Sequence, residues 1–373
     1  MEQSSLAYLV WLVHLLSPAN RNIIPLVEYF GSSEAVFMAT EQQLNRCGIL
    51  SSEQIHKLLA HNTLSIVEPI LDYCENSDVN MITYWDEDYP QNFMHMDDPP
   101  ALIFCLGQPV WKESILNIAV AGTRSMTAYG RKITESIVTD LAEVNCTIIA
   151  GMSDGVDACA HKAALACRGK TVAILPCGID VIYPQSQYNL YWDIADNGCL
   201  ISEFLPGTRP LGSNFQSRNR LIAGMSNGVI HVQSPGKSGS LITTKWALQY
   251  NRDVFAIPGD VDVRQSEGPN ALIQSGAKLV TSAWDILSEY GYLFADLNPQ
   301  EELVSDSATM PEDEQMRAII DLLLHEELDI TGIFFKTGID LTNIILLLTD
   351  MQIRGIITEK PGGLYALAKT FTV

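Results

Sequence analysis

The chain has 373 residues, too many for one ordinary domain, and at 47% apolar it lies outside the disordered class. A formal net charge of −21 excludes a broadly basic face, so any anion site must be a local pocket. Eight cysteines with no CxxC pair exclude a zinc ribbon or a thioredoxin-like site and fit reduced, buried thiols in a cytoplasmic protein.

Residues 6–16 are apolar except for His14. They lack the basic flank of a signal peptide and fall short of the ~20 residues that span a bilayer, which predicts a buried helix. Residues 1–75 read as short helices. Leu44, Cys47, Ile49 and Leu50 flank Gly48, and Ser51-Ser52-Glu53 carries a helix-start signal. Helix–Gly–helix of this kind resembles a sterile-alpha-motif-like or helix-hairpin-helix domain. Its acidity favours packing or protein contact over DNA. Residues 76–115 read as a connection, broken at Asp97-Asp98-Pro99-Pro100 and followed by the apolar stretch 101–106.

The middle alternates short apolar runs with helical patterns. Strands are predicted at 117–121, 147–150, 171–175, 199–202, 228–233, 254–257 and 278–280. Helices are predicted at 130–144, 156–168, 187–197, 240–250 and 269–275. That alternation predicts an α/β core over 76–290: an extended Rossmann-like, mostly parallel sheet with helices on both faces. A linker follows at 291–311. Residues 312–373 show three helical patterns, then two short strands around Pro361-Gly-Gly, which predicts a winged helix. Its last helix, 341–354, is nearly uncharged, which favours protein contact over duplex DNA.

Charge is uneven along the chain. Residues 1–100 hold 14 acidic and 3 basic side chains, 101–309 hold 20 and 15, and 310–373 hold 10 and 5. An anion site therefore belongs in the middle. Four segments there are read as loops after strands, where α/β sheets place ligands. The first carries Gly122, Thr123 and Arg124 before a helix with free N–H groups. The second carries Gly151, with Asp154, Asp157 and His161 beyond it. The third, 214–220, carries Phe215, Arg218, Asn219 and Arg220. The fourth carries Lys237, Ser238, Gly239, Ser240 and Thr243. Arginines beside glycine-exposed amides suit a sugar-phosphate chain, and Phe215 suits base stacking. For Arg218 and Arg220 a second reading stays open, bracing through Glu203 or Asp157. Asp157 and His161 read as a local hydrogen-bonded brace, and no metal or cofactor is expected.

The stretch Arg168-Gly169-Lys170-Thr171 ends a near-match to a phosphate-binding loop, but the order is helix then strand, the reverse of what that loop requires. Gly169 is expected to hold a left-handed helix cap.

Several motifs in order carry a specific resemblance: VAGTRSMTAYG at 120–130, IAGMSDGVDACAHKAAL at 149–165, ILPCGIDVIYP at 174–184, NFQSRNRLIAGMS at 214–226 and SGSLITTKWAL at 238–248. The sequence resembles the DprA/Smf family, most densely over 115–290. That resemblance implies a non-enzymatic binder of single-stranded DNA that protects incoming strands and loads the RecA recombinase during natural transformation. It also implies a homodimer through the Rossmann-like domain, placed here at 271–275 and the Leu279 strand. By the same resemblance Arg124 is a backbone contact, Arg218, Asn219 and Arg220 form a second wall, and Ser238, Gly239, Ser240 and Thr243 complete the pocket. The sequence departs from the family at Gln185, Ser186 and Gln187, where relatives carry a lysine, and at Asp154. The alternative is a nucleotide-binding or phosphoribohydrolase-like enzyme of the lysine-decarboxylase-like group. There the loop at 235–243 ends in a catalytic glutamate, and here Thr243 stands in that place.

Overall fold

The structure is a computed structural model describing residues 3–291, 314–353, 356–360 and 364–367. It falls into two compact units, Met1–Phe294 and Ala295–Val373. The expected linker beyond Gly291, and the expected Pro361-Gly-Gly turn, lie outside the described residues.

The first unit opens with six helices: α1 (Gln3–Leu16), α2 (Ile23–Phe30), α3 (Ser33–Phe37), α4 (Glu41–Cys47), α5 (Ser52–Ala60) and α6 (Glu68–Asn76). Leu9, Val10, Trp11, Leu12 and Val13 of α1 are all buried, so this apolar run is a core helix. Among the described residues no helix is long and apolar enough to cross a membrane. Gly48 closes α4 at φ +69°, which a side chain adopts only at a cost. Ser51 then caps α5, its hydroxyl accepting from the Gln54 amide.

A nine-stranded sheet follows: β1 (Val79–Thr83), β2 (Leu102–Gly107), β3 (Leu116–Ala121), β4 (Cys146–Gly151), β5 (Thr171–Ile174), β6 (Cys199–Ser202), β7 (Gly228–His231), β8 (Asp253–Ala256) and β9 (Lys278–Leu279). Spatial order is β1-β2-β6-β5-β4-β3-β7-β8-β9. The seven strands from β6 to β9 are parallel, and β1 and β2 extend the sheet antiparallel at one edge. Residues 76–115 are thus more than a connection. They supply two strands and carry the N-terminal helices, whose core runs on through Leu102 and Phe104 of β2.

Between the strands run α7 (Ala128–Glu143), α8 (Val156–Ala166), α9 (Tyr188–Asn197), α10 (Gly212–Met225), α11 (Leu241–Gln249) and α12 (Glu267–Gln274), and α13 (Ala283–Leu287) follows β9. Both faces are covered. Ile118 and Val120 of β3 pack with Ile137, Val138 and Leu141 of α7 and with Val156 of α8. Ala119 and Ala121 point the other way, toward Leu221 and Ile222 of α10 and Ala247 of α11. Strands buried on both sides must be apolar throughout, which is why they read as continuous runs.

Two expectations are corrected. Residues 214–220 are not a loop but the first half of α10, whose polar start reflects a cavity beside it. The left-handed residue after α8 is Arg168, at φ +58°, not Gly169. Gly169 serves close approach instead, because a Cβ there would stand 2.5 Å from the Ala142 Cβ.

The second unit holds α14 (Glu314–Leu323), β10 (Leu328–Asp329), α15 (Ile330–Thr337), α16 (Leu341–Ile353), β11 (Ile357–Lys360) and β12 (Leu364–Leu367). The strands form an antiparallel sheet in the order β10-β12-β11. Ile319, Ile320, Ile333, Ile344, Leu348 and Met351 make its core.

Candidate functional site

β3 and β7 lie side by side, Ile118 opposite Gly228 and Ala121 opposite His231. The chain leaving β3 passes through α7 to β4, while the chain leaving β7 passes through α11 to β8 on the opposite side. At such a switch point the outgoing loops part and leave a crevice at the carboxyl ends of the strands. Here the crevice is a cavity of about 530 Å³.

Backbone hydrogen bonds stitch its rim. The Thr123 amide donates to the Gln233 carbonyl at 2.7 Å, and the Val156 amide donates to the Thr123 carbonyl at 3.1 Å. Gly122 is required by this close approach, because a Cβ would stand 2.6 Å from the Val156 Cγ2. The N-terminus of α7 is not open as expected. The Thr127 hydroxyl accepts from the Gly130 amide, and the Gln233 side chain accepts from the Thr127 amide at 3.0 Å. Gln233, 106 residues from Thr127, is a positioning residue with no signal in the sequence.

Eleven of the thirteen expected residues line the cavity: Gly122, Thr123, Arg124, Phe215, Arg218, Asn219, Lys237, Ser238, Gly239, Ser240 and Thr243. Arg124 is exposed, with its guanidinium carbon 5.5 Å from the centre of the Phe215 ring. Arg218 approaches the same ring at 5.8 Å, so Phe215 carries two cations at contact range. Arg218 is only 4% exposed. Its Nη1 donates to the Ile174 carbonyl at 2.9 Å and its Nε to the Asn219 Oδ1 at 3.1 Å. Its Nη2 has no acceptor among the described residues. Asn219 in turn donates to the Gly239 carbonyl at 3.3 Å, tying α10 to the loop after β7. In that loop Lys237 is exposed and makes no ion pair among the described residues, and the amides of Lys237, Ser238 and Gly239 have no acceptor there. The Gly236 amide is taken by Glu267 at 2.9 Å.

The two remaining residues do not reach the cavity. Gly151 sits beneath it, where a Cβ would stand 2.0 Å from the Arg218 Nη1 and 2.5 Å from the Asp157 Oδ2. Its role is to leave room for that pair. Arg220 turns away from the cavity. It ion-pairs with the buried Glu203, its Nη1 donates to the Asp98 carbonyl at 2.8 Å, and its Nε lies 3.7 Å from the Asp98 carboxylate. Glu203 also accepts from Ser217 at 2.8 Å, and Asp98 accepts from the Tyr250 hydroxyl at 2.6 Å. This guanidinium is a brace held by two carboxylates, and it does not line the cavity, so Arg220 is no part of the second wall.

Asp157 is the residue that sequence reasoning under-weighted. Its carboxyl lines the cavity, nine-tenths buried beside Arg218, and accepts from the Ser153 amide at 3.3 Å. Burial pushes its carboxyl above the usual range, against the pull of Arg218 and the Ser153 amide. His161, four residues on, is a brace. Its ring nitrogens lie 2.7 Å from the Thr171 Oγ1 and 2.8 Å from the Gly151 oxygen. Burial lowers it to about 4, so the ring is neutral at physiological pH. Asp154 accepts from the Ser186 hydroxyl at 2.8 Å and the Gln187 amide at 2.6 Å. Two neutral side chains tied to the Asp154 carboxylate thus occupy the place where the resemblance leads one to expect a lysine, and their hydrogen bonds hold that carboxyl below its ordinary value.

The family described as DNA recombination-mediator protein A matches residues 80–291. Protein Smf of Escherichia coli (strain K12) is 31% identical over 86% of this chain and 86% of its own length. DNA processing protein DprA of Streptococcus pneumoniae (strain ATCC BAA-255 / R6) is 40% identical over 56% of this chain and 73% of its own. Among solved structures, DNA processing protein A from Streptococcus pneumoniae superposes with a TM-score of 0.65 at 32% identity, covering 76% of this chain and 97% of that one. DNA processing protein A from Helicobacter pylori, whose structure is described by its single-stranded DNA binding mode, gives 0.52 at 29% identity over 57% and 96%. With a family match over more than half its length and a relative alike along most of both chains, this chain belongs to the DNA recombination-mediator protein A family, the family of the DprA and Smf proteins.

Proposed function

We propose that this chain holds single-stranded DNA in the cleft between the loops after β3 and β7, with no catalytic step. One observation carries the reading. Arg124, Arg218 and Lys237 come from three separate segments and line one cavity with residues 237–239, whose amides have no acceptor among the described residues. Arginine forks and backbone N–H groups are the donors that hold phosphates. The single-stranded DNA binding mode described for the Helicobacter pylori relative supports the same reading.

In the fuller form the bound strand is protected and passed to the RecA recombinase during natural transformation, by a homodimer in the cytoplasm. The exposed edge strand β9, with Leu279 at 47% exposure, and the end of α12 are the proposed dimer face. Sedimentation showing only monomer at micromolar concentration would remove that part. Residues 1–75 serve as a sterile-alpha-motif-like packing or protein-contact domain, 76–290 as the Rossmann-like core, and 312–373 as a winged-helix protein-contact domain.

The test is a salt titration of labelled oligo-dT against duplex DNA. Arg124 and Lys237 make no ion pair among the described residues, while Arg218 is partly offset by Asp157. Two to three neutralised phosphates, at about −0.7 each for single strands, give a slope of about −1.4 to −2 in log K against log salt. Equal affinity for duplex, or unchanged binding in both Arg124→Ala and Arg218→Ala, would overturn the reading. Release of free base from a nucleoside monophosphate, lost in Arg124→Ala, would replace it with an enzymatic one.

A further inference from the structure

The helix that follows β5 turns an aromatic face to solvent. Tyr188 and Trp192 of α9 are 50% and 44% exposed, while Leu190, Tyr191 and Ile194 of the same helix are buried. At positions i and i+4 the two rings share one face, their Cβ atoms about 5–6 Å apart. Trp192 stands T-shaped against the buried Tyr191, with ring centres 5.3 Å apart, so it is held from beneath.

Neither ring lines the cavity, yet the face leads away from it. Phe215, in the cavity wall, meets the half-buried Tyr183 with ring centres 5.8 Å apart. Five residues on stands Tyr188, at the end of α9 nearest the carboxyl ends of the strands. Gln187, just before it, donates to Asp154 at 2.6 Å and ties the start of α9 to the loop after β4. Asp154, held low chiefly by the bonds from Gln187 and Ser186, also feels Arg124 at the cavity rim and Lys162 of α8. Phe215, Tyr183, Tyr188 and Trp192 thus mark a path out of the cavity.

Charge does not carry that path. Lys162 is exposed and makes no ion pair among the described residues, but Asp154 offsets it, and Asp193 and Asp196 are exposed on α9. What the face offers is π surface, which stacks on any unpaired base. A base inside a duplex has both faces covered, so such a face selects single strands. Asp196, one turn past Trp192, ends the path, because a phosphate there meets a carboxylate.

We infer that Tyr188 and Trp192 form a two-base stacking platform outside the cleft, which holds the nucleotides of a single strand as they leave it over α9. The inference rests on the DNA-holding reading above and extends it. The cleft grips the backbone by charge, and the platform grips the next bases by stacking. Salt separates the two, since stacking releases no counterions.

The full chain is titrated with fluorescent oligo-dT of two nucleotides and of about eight, at several salt concentrations. Tyr188→Ala and Trp192→Ala are each expected to lose about five- to thirtyfold in affinity for the longer strand. Both should keep the parent's salt slope, its melting temperature and its affinity for the dinucleotide. Trp192→Phe should keep most of the affinity, because any aromatic face serves, and should remove much of the tryptophan quenching that the bound strand causes in the parent. Unchanged affinity for the longer strand in the double variant Tyr188→Ala/Trp192→Ala, with Arg124→Ala still weakening it, overturns the inference, leaves the cleft reading intact and returns this face to a protein partner. A salt slope reduced as much as in Arg124→Ala shows that charge rather than stacking was lost, and overturns it as well. Losses in both platform variants with none in Arg124→Ala or Arg218→Ala uphold the platform and overturn the cleft. No binding of oligo-dT by the parent overturns both.

Discussion

Arg218 and Arg220 leave the same helix two residues apart, and both are buried, yet they belong to different regions of the molecule. Positions i and i+2 on a helix point to nearly opposite sides. One guanidinium reaches the cavity with Nη2 free of acceptors among the described residues, and the other meets Glu203, Asp98 and, through Asp98, Tyr250 on the far side. Each makes two hydrogen bonds, but the brace has two carboxylates within 4 Å and the cavity-side arginine has none among the described residues. The lesson is that burial of a cation says little about its role until the carboxylates that pair with it are counted. A guanidinium neutralised by carboxylates is structural, and one left without an ion pair at a cavity is available to a ligand.

The sharpest way to break that contrast is at the brace. Glu203→Ala leaves the Arg220 charge buried without its carboxylate. Removing one partner of a buried ion pair costs about 3–5 kcal/mol, so urea unfolding should show a loss of that size. A loss below about 1 kcal/mol would mean the brace is not what holds α10 against residues 97–100. The cavity side predicts the reverse pattern. Arg124→Ala, on an exposed side chain, should leave stability within about 0.5 kcal/mol. Binding of oligo-dT should nonetheless weaken by about 1.5–3 kcal/mol, the range for a charge-assisted hydrogen bond, and the salt slope should shrink by about 0.7. Anisotropy titrations at several salt concentrations read both quantities.

Gly151→Ala tests the two regions at their junction. The new methyl would stand 2.0 Å from the Arg218 Nη1, so the guanidinium must move. Overpacking of this kind costs about 1–3 kcal/mol. Displaced from the Ile174 carbonyl and Asp157, Arg218 also loses its aim into the cavity, and DNA affinity should fall with stability. A variant that loses stability but keeps full affinity would separate Arg218 from the site.

Much of the core was legible in the sequence because it is buried on both faces. The seven parallel strands announce themselves as short apolar runs between helices, and the structure moves their ends by one or two residues. β1 and β2 were less legible. They pair antiparallel at the edge and are separated by residues 84–101, which hold acidic groups and prolines, so the segment reads as a connection. α10 was misread for a related reason: its first two turns are polar because they face a cavity rather than a core. The convergence of Arg124 and Lys237 followed from the placement of loops at strand ends, while Arg218 joins them from a helix, α10, that was read as a loop. The outward turn of Arg220 did not, since two arginines in Arg-Asn-Arg look alike until the helix phase is known. Gln233 closing the start of α7 and Gly151 making room for Arg218 are contacts between distant segments that carry no local pattern.

The smallest expected effect is the most specific to the cavity side. Burial raises the Asp157 carboxyl above its ordinary value, with Arg218 and Arg124 opposing from α10 and from the loop after β3. His161 on the same helix is neutral at neutral pH, lowered to about 4 by burial. As pH falls through the raised value, Asp157 takes up a proton and the charge on Arg218 is no longer offset. An anion in the cavity should then bind more tightly. The sign for stability follows from the same shift. A folded value above the unfolded one means the folded state holds the proton more firmly. This group's contribution is therefore fully present below the ordinary carboxylate range and is lost as pH rises through the raised value. Asp157→Asn mimics the protonated form, so it should bind oligo-dT at neutral pH as the parent does in acid, and its affinity should be flatter from about pH 8 to 5. The gain should stay below about tenfold, because a full tenfold change requires a whole unit of difference between the free and bound carboxyl. Parallel pH profiles for parent and variant would show that Asp157 does not govern the charge that the cavity presents to a phosphate, and would leave it only its hydrogen bond to Ser153.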